Sequence, residues 1–215
     1  SALAGHDQLL TFCARHDIVV CAILLIPRGG SEESRRIWQH PDCCDPGIYT
    51  MANVTSAEGV LHYAAAIDVL AKRYCRPDAQ YGRIANWIIH NEVDAGWVWT
   101  NAGEKRLETY LDLYQRSLRT AHLTVRQHDP HARVFVSLTH HWAETGPRFY
   151  PSKDLLLLLR DLTRREGDFP WAVAFHPYPQ NLFDPRSWND TKAHDTFDTP
   201  LISFRNPGEI GRAHV

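Results

Sequence analysis

The sequence predicts an α/β fold in which parallel strands alternate with crossover helices. Three observations lead there. Helical and strand patterns alternate along the chain, the strand runs are almost wholly apolar, and no run is long enough to cross a membrane. A (β/α)8 TIM barrel and an open doubly wound sheet both produce this pattern. No GxGxxG follows a strand and no GxxxxGK[ST] occurs, which removes support from the nucleotide-binding sheets. A whole barrel takes about 250 residues. With four or five strand units visible among 215 residues, the expectation is an incomplete barrel.

The elements follow in order. Leu9, Phe12 and Cys13 mark a short helix. Ile18 to Ile26 is a β-branched apolar run, expected as a strand buried on both faces, and Pro27-Arg28-Gly29-Gly30 ends it. Thr55-Ser56-Ala57-Glu58 has capping-box form, and Val60, Ala64, Ile67, Ala71 and Tyr74 make one helical stripe behind it. Ile84 to Ile89 reads as a strand. Lys105 to about His128 reads as a helix, with Leu107, Leu111, Tyr114, Leu118, Ala121 and Val125 at four-three spacing, closed by Asp129-Pro130. Val134 to Leu138 is the next strand. Ser152 is expected to cap a leucine-rich helix ending at Gly167, Ala172 to Phe175 is a further strand, and Leu201 to Phe204 one more.

Composition bounds the function. The chain is 44% hydrophobic and 22% charged, as in globular domains, and its formal net charge is -2 with no long basic run, so a nucleic-acid partner is not expected. Nor is a membrane partner. Five cysteines without CxxC spacing argue against a zinc knuckle or a disulfide framework; Cys21 reads as a small core residue and Cys43-Cys44 as loop. The chain enters a helical pattern directly after Ser1 and reads as a piece of a longer protein, so a missing signal peptide says nothing of its compartment.

The chemistry gathers after the strands, where a parallel barrel builds its site. His90, Asn91 and Glu92 follow one run, Thr139, His140, His141 and Trp142 the next, and His176, Pro177, Tyr178 and Pro179 a third. Any single strand end is commonly polar because it meets solvent. Three ends bearing His, Glu, Trp and Tyr are not turn chemistry. Glu92, between an apolar run and indoles, is expected to lose solvation, rise in pKa and hold a proton for a leaving oxygen. Trp97, Trp99 and Trp142 offer flat faces for a sugar ring, with ordinary packing an even alternative for the first two.

"NWIIHNEVD" (Asn86 to Asp94) resembles the fourth-strand signature of clan A glycoside hydrolases. More closely, "IYTMANVTSAEGVLHYAAAIDVLAKRY", "NWIIHNE", "VFVSLTHHW", "AFHPYPQNL" and "DTPLISF" resemble, in order, an uncharacterised bacterial family similar to that clan. The resemblance implies a retaining glycosidase that needs no cofactor and takes a carbohydrate as substrate. It implies Glu92 as general acid/base, Asn91 on the sugar 2-hydroxyl, and His176 and Tyr178 near the carboxylates, with His140, His141 and Trp142 at the end of the fifth strand. His90 stands where relatives have Gly. The second carboxylate would end a seventh strand, and no apolar run ending in Glu follows Phe204. The domain is therefore expected over 1–208, with 209–215 a non-native or disordered tail, and the chain is expected to be inactive and poorly stable alone, its strand edges uncovered. Two alternatives stand beside this reading. One is a metal-dependent hydrolase using His90, Glu92, His140, His141 and His176, although adjacent strand histidines face opposite sides. The other is a carbohydrate-binding protein without turnover.

Overall fold

The computed structural model describes residues 3–213. Its centre is a four-stranded parallel sheet built from β1 (Cys21–Leu24), β4 (Asn86–Ile89), β5 (Arg133–Leu138) and β6 (Ala172–Phe175), in the order β1-β4-β5-β6. A two-stranded antiparallel ribbon, β2 (Ile26–Pro27) with β3 (Tyr49–Thr50), follows β1. The helices are α1 (Ala4–Arg15), α2 (Glu32–Trp38), α3 (Ala57–Tyr74), the single turn α4 (Gly96–Trp99), α5 (Leu107–Val125) and α6 (Ser152–Arg165). Sheet neighbours follow chain order, so each crossover steps the same way. Accordingly α3 packs beside α5 and α5 beside α6, forming one layer.

The register explains the core. Ala22, Trp87 and Val134 lie in one row, and Leu24, Ile89, Val136 and Val173 in another. These side chains meet Ile67, Ala71, Tyr114, Leu118 and Leu159 from the helices in one hydrophobic cluster. Each such aliphatic side chain contributes about 1.5–3 kcal/mol on burial. The other sheet face carries Ile23, Ile88, Phe135 and Ser137, and at its edge it is open: Ile23 is 42% exposed.

This openness corrects the reading of Ile18–Ile26. The ladder covers only Cys21–Leu24, β1 pairs with β4 alone, and its side chains alternate between exposed and half-buried. Cys21 is exposed, not core. An apolar run announces a strand, but burial needs a covering layer, and β1 has one on a single face. Other local expectations shift for equally definite reasons. Ser56 is the N-cap of α3, accepting the Gly59 N–H at 3.1 Å, while Glu58 leaves the capping box to pair with Arg36. Ser152 is the first residue of α6 and Pro151 precedes it. Leu201 makes a single bridge to His141 in place of a strand. The sequence reading missed α2, which buries no residue and so shows no stripe; Ser31, accepting the Ser34 N–H, was its one signal. Pro207–Ala213 forms a 3-10 turn against α6 in which Glu209 is buried.

Candidate active site

The site hangs from β4. Its last carbonyl, at Ile89, accepts the buried Tyr114 hydroxyl at 3.1 Å. The chain then turns sharply, with φ of 61° at His90 and 40° at Glu92, both left-handed. His90 turns its ring into the helix–sheet layer, 1% exposed, between Tyr63 and Tyr114, and burial lowers its pKa to about 4. A position with this φ suits glycine, so His90 holds a strained backbone there.

Several bonds fix the turn. Thr100 Oγ1 donates to the Asn91 carbonyl at 2.7 Å, and the Glu92 N–H donates to Ser137 Oγ at 3.1 Å. Asp94, wholly buried, accepts from the Thr139 N–H at 2.9 Å, from the Thr139 hydroxyl, and from Ser152 Oγ at 3.0 Å. One carboxyl thus ties the loops after β4 and β5 to the first turn of α6. Burial pushes its pKa up to about 6 against the pull of those donors, and the Glu92 charge adds to the rise.

Glu92 Oε1 lies 2.8 Å from His176 Nδ1, with the two side chains 11% and 23% exposed. His176 Nε2 stands 3.4 Å from Ser137 Oγ, which is also 3.4 Å from Asn91 Oδ1. In front of Glu92 opens a cleft of about 610 Å³ lined by Trp99, Thr139, His140, His141, Arg148, Phe149, Tyr178 and Leu182. That volume suits a small-molecule site. His140 Nδ1 lies 2.9 Å from the Tyr178 carbonyl, an obligate acceptor, so the proton sits on Nδ1. His141 pairs with Glu144 at 3.0 Å and stacks on Phe149, and burial lowers its pKa. A hollow of about 520 Å³ beside β1 and one of about 890 Å³ beside α2 hold no carboxylate bonded to a histidine.

The geometry sorts the expected residues. Glu92, Trp99, His140 and Tyr178 meet at the cleft, and His141 joins them. Both histidines line one hollow because β5 ends at Leu138, so strand alternation no longer governs them. Asn91 and His176 stand beside Glu92 and outside the cleft lining. Trp142 does not serve: it is completely buried, packed edge-on against Phe197, with its indole N–H donated to the Phe197 carbonyl at 2.6 Å. Trp97 packs on Tyr150 at 4.8 Å and is also outside the lining. The metal-ligand set dissolves, since His90 faces the opposite layer and no group of three or more His, Cys, Asp or Glu side chains among the described residues is placed to hold an ion. The sequence pattern does not single out Ser137, Asp94, Arg148 or Phe149. Ser137 had a visible signal, a hydroxyl inside an apolar strand run; Asp94 lay two residues beyond Glu92 without a pattern of its own.

The chain belongs to a family of unknown function (DUF5722), matched over residues 1–208. No curated protein matches it. Among solved structures, a glucosidase from Croceicoccus marinus is similar at 13% identity and a TM-score of 0.47, over 80% of this chain and 29% of that one. The chain therefore spans under a third of that enzyme's length.

Proposed function

We propose that this member of a family of unknown function carries the acid/base half of a retaining glycoside hydrolase site, acting on an O-glycosidic bond of a carbohydrate. The observation that carries the reading is the Glu92–His176 pair at the C-terminal end of a parallel strand, opening on a cleft walled by Trp99 and Tyr178. Glu92 would protonate the leaving oxygen and later take a proton from water. Asn91, with its carbonyl held by Thr100, would present its amide to a sugar hydroxyl. Trp99 and Tyr178 would cover the C–H face of a ring. The sequential parallel order of the sheet supports this reading, since a parallel barrel would place its chemistry at this end of the strands.

Glu92 is the sole carboxylate among the residues lining the cleft. Retaining chemistry takes a second, about 5–5.5 Å from the first. The single carboxylate also favours a second reading, glycan binding without cleavage.

The test is hydrolysis of aryl glycosides and oligosaccharides by the product of the complete gene and by its Glu92→Gln variant. Glu92→Gln should lower kcat roughly 10²–10⁴-fold on unactivated substrates, and far less on aryl glycosides whose leaving group needs no proton. Equal loss on both classes would remove the acid role. Binding of oligosaccharide with no hydrolysis by the unaltered protein would leave the binding reading standing.

A further inference from the structure

The hydrogen-bond pattern behind Glu92 contains one hydroxyl with two competing acceptors. Ser137 Oγ accepts the Glu92 N–H at 3.1 Å, and its single hydrogen can go to Asn91 Oδ1 or to His176 Nε2, each 3.4 Å away. Which one receives it depends on whether Nε2 carries a proton. His176 has only two ring nitrogens, and Nδ1 faces Glu92 Oε1 at 2.8 Å. With one proton shared in the Glu92–His176 pair, Nδ1–H donates to the carboxylate, Nε2 is bare, and Ser137 donates to Nε2. With a proton on Nε2, as in carboxylate with imidazolium, Nε2–H points at Ser137 Oγ. Ser137 is then an acceptor on that side, and its own hydrogen turns to Asn91 Oδ1. A proton on Glu92 Oε2 instead would leave Nδ1–H on Oε1 and Nε2 bare, so the switch follows the Nε2 proton.

We infer that Ser137 is a positioning residue that locks the Asn91 amide when His176 carries a proton on Nε2. The catalytic meaning rests on the acid role proposed for Glu92; the coupling itself rests on geometry alone. Asn91 Oδ1 is held by Ser137 in that state, which fixes the rotation of its amide. When the imidazolium loses its Nε2 hydrogen to water, Nδ1–H stays on Glu92, Ser137 turns back to Nε2, and Asn91 is released. Each switch moves one proton onto or off Nε2 and breaks no bond of Ser137. The charged or titratable neighbours of the pair are Asp94 on its own loop, His140 and His141 after β5, Tyr178 after β6, and Arg148 across the cleft. Ser137 is completely buried, so water does not replace it.

Nitrogen-15 NMR of the chain, without any substrate, tests this. The His176 ring and the Asn91 side-chain amide are followed from pH 8 to pH 4. Expected is gain of a proton at His176 Nε2 together with a shift and slowed exchange of the Asn91 NH2, sharing one midpoint. Ser137→Ala should abolish the Asn91 response while leaving the His176 titration, and Ser137→Thr, which keeps the hydroxyl, should restore it. Should Ser137→Ala fail to fold, Glu92→Gln serves: it takes one proton site from the pair, and the shared midpoint must move or vanish. An Asn91 response that persists unchanged in Ser137→Ala, or an Asn91 signal indifferent to the His176 proton in the unaltered chain, would overturn the inference. Neither result depends on hydrolysis, so failure here is separable from failure of the glycosidase reading.

Discussion

Asp94 makes the sharpest thermodynamic prediction. It is fully buried, and burial raises its pKa from the ordinary 3.8 to about 6. That difference corresponds to about 3 kcal/mol between the two protonation states. The folded protein binds this proton more tightly than the unfolded chain. The stabilisation from Asp94 is therefore complete below about pH 4 and is lost as pH rises through about 6. Asp94→Asn offers a neutral group of the same shape: its oxygen accepts the Thr139 N–H, and its NH2 donates to the Thr139 and Ser152 hydroxyls, which also accept. Urea unfolding of both proteins, from pH 3.5 to 8, isolates the carboxyl. The stability of the unaltered protein relative to Asp94→Asn should fall by about 3 kcal/mol between pH 4 and 7 and be flat outside that window. A flat difference throughout, or one moving the other way, would show that the three donors outweigh burial and would refute the reasoning.

Other expectations concern single side chains. Because His90 has a φ of 61°, His90→Ala should be less stable than His90→Gly by about 1 kcal/mol in urea, reversing the usual helix and strand order. Gly59→Ala, which in an open helix gains up to about 1 kcal/mol, should instead lose about 2 kcal/mol or more, since its Cβ would stand 2.0 Å from the Asn53 carbonyl oxygen; calorimetry reads the sign directly. Trp142→Ala should cost about 3–5 kcal/mol of stability, whereas Trp99→Ala should cost far less and, on the proposed carbohydrate reading, weaken oligosaccharide binding, read by titration calorimetry.

What the sequence made legible was whatever repeats. The stripes of α3, α5 and α6 and the apolar cores of β4, β5 and β6 were readable because one period runs through each. The position of Glu92 was readable because strand ends gather on one side of a parallel sheet. What escaped depends on neighbours far along the chain. Trp142 is adjacent to two cleft histidines, yet Phe197, 55 residues later, supplies the carbonyl and ring that draw it inward. Ile18–Ile26 was read as doubly buried because its composition cannot say how many layers will cover it. Ser137 and Asp94 act through partners 39 residues or more away, in contacts that no local spacing encodes.

The two members of the Glu92–His176 pair are suspended from strands of unequal security. Glu92 follows β4, flanked on both sides by β1 and β5. His176 follows β6, which pairs with β5 alone and whose four residues are all partly exposed. Peripheral strands open at lower free energy than central ones. Amide exchange at Val173 to His176 should accordingly outrun exchange at Trp87 to Ile89. Each such opening withdraws His176 while Glu92 stays on Ser137. How often the carboxylate stands without its histidine is then set by the fraying of a strand, and a change that pins β6 would alter the proton chemistry without touching the cleft.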